Sequence, residues 1–164
     1  HRQGWQRGKD YGEAGQRTAI EGYGATAIDF RTSSVEDYVD RYTGGEGFDI
    51  VYDTVGGATL DASFRAARLY GGHVVSCLGW GTHALAPLSF RAATYSGVFT
   101  LLPLIRGKGR AAHGAIMREA TRLVEAGSIK VRVDPTEYAL ADANAAHRDL
   151  IEGKAAGKLV VSVA

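Results

Sequence analysis

The run Phe48-Asp-Ile-Val-Tyr-Asp-Thr-Val-Gly-Gly57 constrains the fold more than any other stretch of this chain. A short β-branched segment stops at Asp53-Thr54, a glycine pair follows, and an amphipathic helix starts near Thr59. That order describes a buried parallel strand whose carboxyl end opens onto a turn with accessible backbone. Open α/β sheets gather their ligands at such ends. No strand–GxGxxG–helix unit stands before it in the sequence.

The rest of the pattern agrees with a strand–helix alternation from Gly24 onward. Thr26-Ala-Ile-Asp-Phe30 reads as a short strand. Ser33 with Glu36 three residues later forms a capping-box signature, and Val35, Tyr38, Val39 and Tyr42 follow at helical spacing until Gly44. Strand 48–53 leads to a helix with Leu60, Phe64 and Ala67 on one face. Gly71-Gly72 then turns the chain into a strand over 73–78. A polar loop over 79–91 precedes a strand around Gly97 to Leu101. A helix over 110–126 turns Ile116, Ala120, Leu123 and Val124 to one side, and Asp134-Pro135 marks a turn. A last helix over 142–152 places Ala143, Ala146, Leu150 and Ile151 inward, and a strand over 159–163 closes the chain. Strands alternating with helices of this length imply right-handed crossovers and an α/β fold with a mostly parallel sheet flanked by helices.

Residues 1–23 break this regularity. They are rich in Gly, Arg, Gln and Lys, with Trp5 and Tyr11 as the large apolar anchors, and read as a disordered or locally helical lead-in to a domain over 24–164. A chain of 164 residues suffices for one domain with a real core. A net charge of +1 gives no electrostatic basis for binding nucleic acid or an anionic membrane. The single cysteine, Cys77, excludes an internal disulfide and a Cys-based zinc site. Its neighbours Val74, Val75 and Leu78 imply a buried strand thiol rather than a reactive one. The longest apolar stretch, 95–105, is interrupted by Ser96, Gly97, Thr100 and Pro103 and is too short to cross a bilayer. The N-terminal residues carry no apolar signal-peptide core, so a cytoplasmic protein is expected.

Six blocks carry a resemblance: Gly24-Ala-Thr-Ala-Ile-Asp, Gly47-Phe-Asp-Ile-Val-Tyr-Asp-Thr-Val-Gly-Gly, Gly72-His-Val-Val-Ser, Leu123-Val-Glu-Ala-Gly, Ala145-Ala-His and Gly157-Lys-Leu-Val-Val-Ser-Val. In that order and spacing they resemble the medium-chain dehydrogenase/reductase superfamily, and within it the quinone-oxidoreductase and zinc-type alcohol dehydrogenase group. The resemblance runs from about Gly24 to the end. It implies a partial Rossmann-type, doubly wound sheet followed by the C-terminal return segment. The family's Gly-rich fingerprint and its substrate-side residues have no counterpart in this sequence. Gly22-Tyr-Gly24 precedes a strand instead of following one, and Gly44-Gly45-Glu-Gly47 closes a helix instead of opening one.

The resemblance implies hydride transfer between NADP or NAD, with NADP slightly favoured, and a small-molecule carbonyl, quinone or activated alkene. Three strand exits are the candidate cofactor-lining segments. After strand 48–53, Asp53, Thr54, Val55, Gly56, Gly57 and Thr59 resemble the stretch near the nicotinamide ribose; a tight turn needing positive φ explains the glycines equally. After strand 73–78, Leu78, Gly79, Trp80 and Gly81 resemble the segment beside the nicotinamide. Trp80 either covers a planar ring or closes the core. Val98, Phe99 and Thr100 resemble the stretch whose backbone pairs with the carboxamide, and a core strand explains them as well. Phe30 resembles the position flanking the adenine, and as a lone aromatic it reads more often as a core residue.

No residue here can be named as proton donor or catalytic base. His73, His83, His113 and His147 share no metal-ligand spacing, so no zinc is expected despite the group's name. His147, beside the inward stripe of the last helix, reads as a structural histidine. Arg106, Lys108 and Arg110 read as a solvated helix entry, with contact to a phosphate as the alternative, and the serines form no Gly-x-Ser-x-Gly elbow. The rival reading is a non-catalytic α/β remnant, a weak nucleotide-binding or dimerisation module. For either, the sheet edge near Gly97 to Leu101 is the expected site of a homodimer.

Overall fold

The computed structural model describes residues 2–4 and 13–163. The elements in chain order are β1 (Arg2–Gly4), α1 (Glu13–Gly22), β2 (Ala25–Ala27), α2 (Val35–Thr43), β3 (Ile50–Asp53), α3 (Ala58–Ala66), β4 (His73–Ser76) and α4 (Ala86–Ser89). There follow β5 (Thr94–Gly97), α5 (Leu102–Arg106), α6 (Arg110–Glu125), β6 (Val133–Ala139), a 3-10 turn (Leu140–Asp142), α7 (Ala143–Ile151) and β7 (Lys158–Ser162). Every paired strand runs parallel to its neighbour. The elements fall into two compact units, one made of Ile28–Arg106 and the other of the residues on either side.

In the central unit β3, β4 and β5 pair in sequence order. Val51 and Asp53 share the face of β3 turned to α3, while Ile50 and Tyr52 point the other way and are 72% and 62% exposed. Leu60 and Phe64 of α3 pack with Ala67, Val74 of β4 and Leu88 of α4, with Val51 and Ala93 alongside. Each fully buried Leu, Phe or Val contributes roughly 1.5–3 kcal/mol. This small core fixes α3 across the strands, and with it the turn that precedes α3. Gly47 leads into Phe48, whose bridge to Ala67 ties the ends of β3 and α3 together.

Several boundaries differ from the sequence expectation. The capping box belongs to Ser34 and Asp37, not Ser33 and Glu36: the Asp37 amide donates to Ser34 Oγ at 3.1 Å and the Ser34 amide to Asp37 Oδ2 at 2.9 Å. Ser33 instead gives its amide to the Asp29 carbonyl, completing the preceding turn. The strand expected over 26–30 is confined to Ala25–Ala27 for the same reason, because Asp29 organises a turn over 29–33. The strand expected over 97–101 is β5 at Thr94–Gly97. Val98 donates one last ladder bond to the Ser76 carbonyl, and Pro103 then fits the first turn of α5. Cys77 is half-buried just past β4 rather than buried within it.

The second unit contains two parallel ladders, β1 with β2 and β6 with β7. Asp134-Pro135 is not a turn but part of β6. The ladder shifts register between Val133 and Glu137, and proline is tolerated at such an irregularity. Asp134 bridges the irregular stretch, its carboxylate accepting from the Thr136 amide at 2.9 Å and the Ala156 amide at 2.6 Å. Tyr138 is buried and donates to Asp149 of α7 at 2.8 Å. On α6, Ile116 and Val124 are exposed and Ala120 and Leu123 half-buried; on α7, Ala146 is buried but Leu150 and Ile151 are exposed. Helical periodicity identifies the apolar face and does not say what covers it. His147 is likewise exposed, not part of an inward stripe. The lead-in is not merely disordered or locally helical: Arg2–Gly4 form β1, paired in parallel with β2, and residues 13–22 are helical as α1, while Trp5 and Tyr11 lie outside the described residues.

Candidate functional site

The three strands of the central sheet end on one row. Asp53 of β3 is level with Ser76 of β4, and Ser76 with Gly97 of β5. Parallel pairing therefore brings the exits after Asp53, Ser76 and Gly97 to a single rim, at the carboxyl ends where this class of sheet binds ligands.

Asp53 is the buried anchor of that rim, at 3% exposure. Its carboxylate accepts from the Val55 amide at 3.2 Å, from the Gly56 amide at 3.0 and 3.1 Å, and from Ser76 Oγ at 2.6 Å. Ser76 Oγ in turn accepts from the Leu78 amide at 3.1 Å. One carboxylate thus shapes the turn after β3 and, through one hydroxyl, the start of the loop after β4. A buried carboxylate needs such partners, since its desolvation is otherwise uncompensated. Asp53 is consumed by these bonds and acts as a tie.

The turn itself explains its glycines. Gly56 has φ 75°, and a Cβ there would collide with the Leu78 carbonyl. Gly57, at φ 53°, opens α3 with nothing beside the position a Cβ would take. Gly81, at φ 105°, is similarly open. Gly79 lies under the Tyr95 hydroxyl. Thr54 is exposed, Val55 half-buried, and Thr59 half-buried in the first turn of α3, where its carbonyl accepts from Ser63.

Trp80 does not close the core. It is 62% exposed and meets Phe99 edge-to-face, ring centroids 5.4 Å apart at 88°. The exits of β4 and β5 are thereby joined by an aromatic pair standing at the rim, with Val98 and Thr100 exposed beside it. Phe30 is half-buried in the turn after β2 and is not part of the three aligned exits. Sequence reasoning missed Ser76, Asp61 and His83. His83 Nδ1 lies 2.9 Å from Asp61 Oδ1, and Nε2 lies 3.2 Å from the Trp80 carbonyl. Twenty-two positions separate His83 from Asp61, so no local spacing announces the pair. The level placement of Asp53 and Ser76 is a signal that the parallel register does announce.

The residues present fit one end of a nicotinamide dinucleotide. Open glycine backbone at Gly57 and Gly81 and an exposed aromatic pair can receive a planar ring and its ribose. Gly44 does not fit a pyrophosphate: at φ 63° it closes α2, with its amide bonded to the Asp40 carbonyl. Zinc does not fit either, because among the described residues no three His, Cys, Asp or Glu side chains converge. No helix among them is long and apolar enough to cross a membrane.

Comparison with known proteins adds the following. A family profile described as zinc-binding dehydrogenase matches residues 23–161. The chain is 46% identical to an alcohol dehydrogenase superfamily protein of Novosphingobium aromaticivorans, with a TM-score of 0.85 over 91% of this chain and 46% of that one. A highly reducing polyketide synthase of Emericella nidulans is 32% identical over 152 residues, 88% of this chain and 6% of that protein. A quinone oxidoreductase of Pseudomonas syringae pv. Tomato, 22% identical at a TM-score of 0.70 over 90% of this chain and 46% of that one, shares the fold. The chain therefore spans less than half of the solved relatives' length and a small part of the synthase.

Proposed function

Because the chain belongs to the zinc-binding dehydrogenase family, in the alcohol dehydrogenase and quinone oxidoreductase branch of the medium-chain dehydrogenases/reductases, we propose that its central unit forms the nicotinamide side of an NAD(P) cleft. The reaction served is hydride transfer to or from a carbonyl, quinone or activated alkene. The observation that carries this reading is the single row of exits at Asp53, Ser76 and Gly97.

The nicotinamide supplies the hydride chemistry when bound. The chain's own part is to bind, orient and exclude water. Asp53 and Ser76 hold the turns after β3 and β4 in fixed relation. Open backbone at Gly57 and Gly81 lets a ribose and ring approach without a Cβ in the way. The Trp80–Phe99 pair offers an apolar wall against one side of the ring. No side chain at this rim stands out as a proton donor, so the reading assigns none.

Isolated, this chain should bind the cofactor weakly, because its sequence carries no strand–GxGxxG–helix unit to hold the pyrophosphate. A millimolar Kd corresponds to about −4 kcal/mol, against about −8 kcal/mol for micromolar binding. The test is an NMR titration of the chain with NADPH, NADH and nicotinamide mononucleotide. Amide shifts concentrated at 53–57, 78–81 and 98–100 are expected with all three. Scattered shifts, or none up to tens of millimolar, would overturn the reading. Nicotinamide consumption with quinones or alcohols is expected to be absent for the chain alone.

A further inference from the structure

We propose that His83 is a positioning residue: as an imidazolium it clasps the 78–81 loop to α3 and so holds Trp80 at the rim. The proposal rests on the reading of that loop as cofactor-facing, while the clasp itself is a matter of geometry.

Both ring nitrogens of His83 face oxygen acceptors. Nδ1 lies 2.9 Å from a carboxylate oxygen of Asp61, and Nε2 lies 3.2 Å from the Trp80 carbonyl. An ionised carboxylate and a backbone carbonyl can only accept, and a neutral imidazole has a single N–H. Both bonds therefore exist together only when both nitrogens are protonated. The ring is well enclosed, with its side chain 12% exposed and its edge against Phe64 at a centroid separation of 6.4 Å and 84°. It is thereby locked between α3 and the loop.

The electrostatic surroundings agree. The Asp61 carboxylate that accepts the ring's hydrogen bond raises the His83 pKa above its ordinary 6.5. Burial works against this, while the Trp80 carbonyl and the charges of Asp61 on α3 and Asp53 at the end of β3 add to the rise. A raised value means the clasp is complete below pH 6.5 and is lost as pH climbs through the folded-state value. On deprotonation the ring keeps one proton. The charge-assisted bond to Asp61 is the stronger of the two, so the bond to the Trp80 carbonyl is the one given up.

That loss matters because the loop has few other ties. Leu78 is held by Ser76 Oγ, and Gly79 and Gly81 flank Trp80 with permissive backbone. Release of the Trp80 carbonyl frees the indole to leave Phe99. The rim would then present an ordered aromatic wall below the folded-state pKa of His83 and a looser one above it.

The experiment follows His83 and Trp80 in the unmodified chain across pH 5 to 10. Imidazole NMR signals report the titration, and acrylamide quenching reports Trp80, with Trp80→Phe used to subtract Trp5. A His83 midpoint above 6.5 is expected, with a Trp80 quenching constant that rises about twofold at that same midpoint. Asp61→Asn should move both midpoints down together, and His83→Gln should remove the Trp80 step. A midpoint at or below 6.5, or a Trp80 response that is flat or survives His83→Gln, overturns the proposal. No nicotinamide enters these measurements. A Trp80 step without cofactor shifts at the rim would support the clasp and sink only the cofactor reading.

Discussion

Gly56 and Gly57 sit side by side in the turn after β3, yet different constraints hold them to glycine. Gly56 is buried at φ 75° against the Leu78 carbonyl, so a methyl group there adds a backbone clash to conformational strain. Gly57 has positive φ but open space. Gly57→Ala should cost the strain alone, about 1–3 kcal/mol, and Gly56→Ala should cost several kcal/mol or prevent folding. Urea unfolding of the two variants checks the order, and equal costs would contradict the packing described. The Asp53–Ser76 bond makes a second case. Ser76→Ala removes the 2.6 Å donor and leaves a buried carboxylate oxygen with the Gly56 amide alone, so a loss of roughly 1–3 kcal/mol is expected. The amide signals of Val55, Gly56 and Leu78 should shift together in that variant, because one tie organises both loops. The sequence announces that Asp53 ends a strand and that glycines follow. It does not announce that the carboxylate is spent on neighbouring amides, since this depends on β4 lying alongside.

Helix α2 and strand β6 show where reading from sequence stops. For α2 the periodic residues and Gly44 locate the helix, and Tyr38 and Val39 are buried as expected. Its cap is displaced by one residue, because Ser33 and Ser34 both satisfy the local rule and the choice is made by Asp29 drawing Ser33 into a turn. Ser34→Ala should therefore cost about 1 kcal/mol, and Ser33→Ala much less, in chemical unfolding. The cap also predicts acid behaviour. Hydrogen bonds from the Ser34 amide and hydroxyl hold the Asp37 carboxyl below its usual 3.8, so its contribution is complete above that value and fades as pH falls through the folded-state pKa. Asp134 follows the same sign, lowered by Thr136 and then the Ala156 amide. The β6–β7 amides should thus lose protection together on acidification, as hydrogen exchange would show. For β6 itself, Asp-Pro is a turn signal that a register shift overrides. Nothing within 133–139 reveals that, because the partner strand lies more than twenty residues on.

The two units differ in what they bury, and their stabilities should differ accordingly. The central unit encloses Leu60, Phe64 and Val74 almost completely, whereas among the described residues of the other the buried ones are Ala27, Tyr138, Ala146 and Ala155 beside Asp134. Small side chains remove less apolar area from water, at about 25 cal/mol per Å². Hydrogen exchange should therefore be slower in β3, β4 and α3 than in α6 and α7, and uniform protection would contradict this division. A second consequence concerns surface. Ile50 and Tyr52 lie exposed on the face of β3 away from α3, and Leu101, Leu102, Leu104 and Ile105 are exposed around α5. Exposed apolar groups favour association, and among the described residues β5 is an end strand of its three-stranded sheet, a position where unpaired backbone can recruit another strand. Sedimentation of the purified chain should show concentration-dependent dimers or larger species. Two charge substitutions separate the routes. Ser96→Lys, on β5, should weaken pairing along the edge, whereas Tyr52→Lys should weaken contact through the open face. Whichever substitution restores a monomer identifies the surface that joins the copies. A chain that is monomeric without either substitution at high micromolar concentration would show that these exposed residues do not drive assembly.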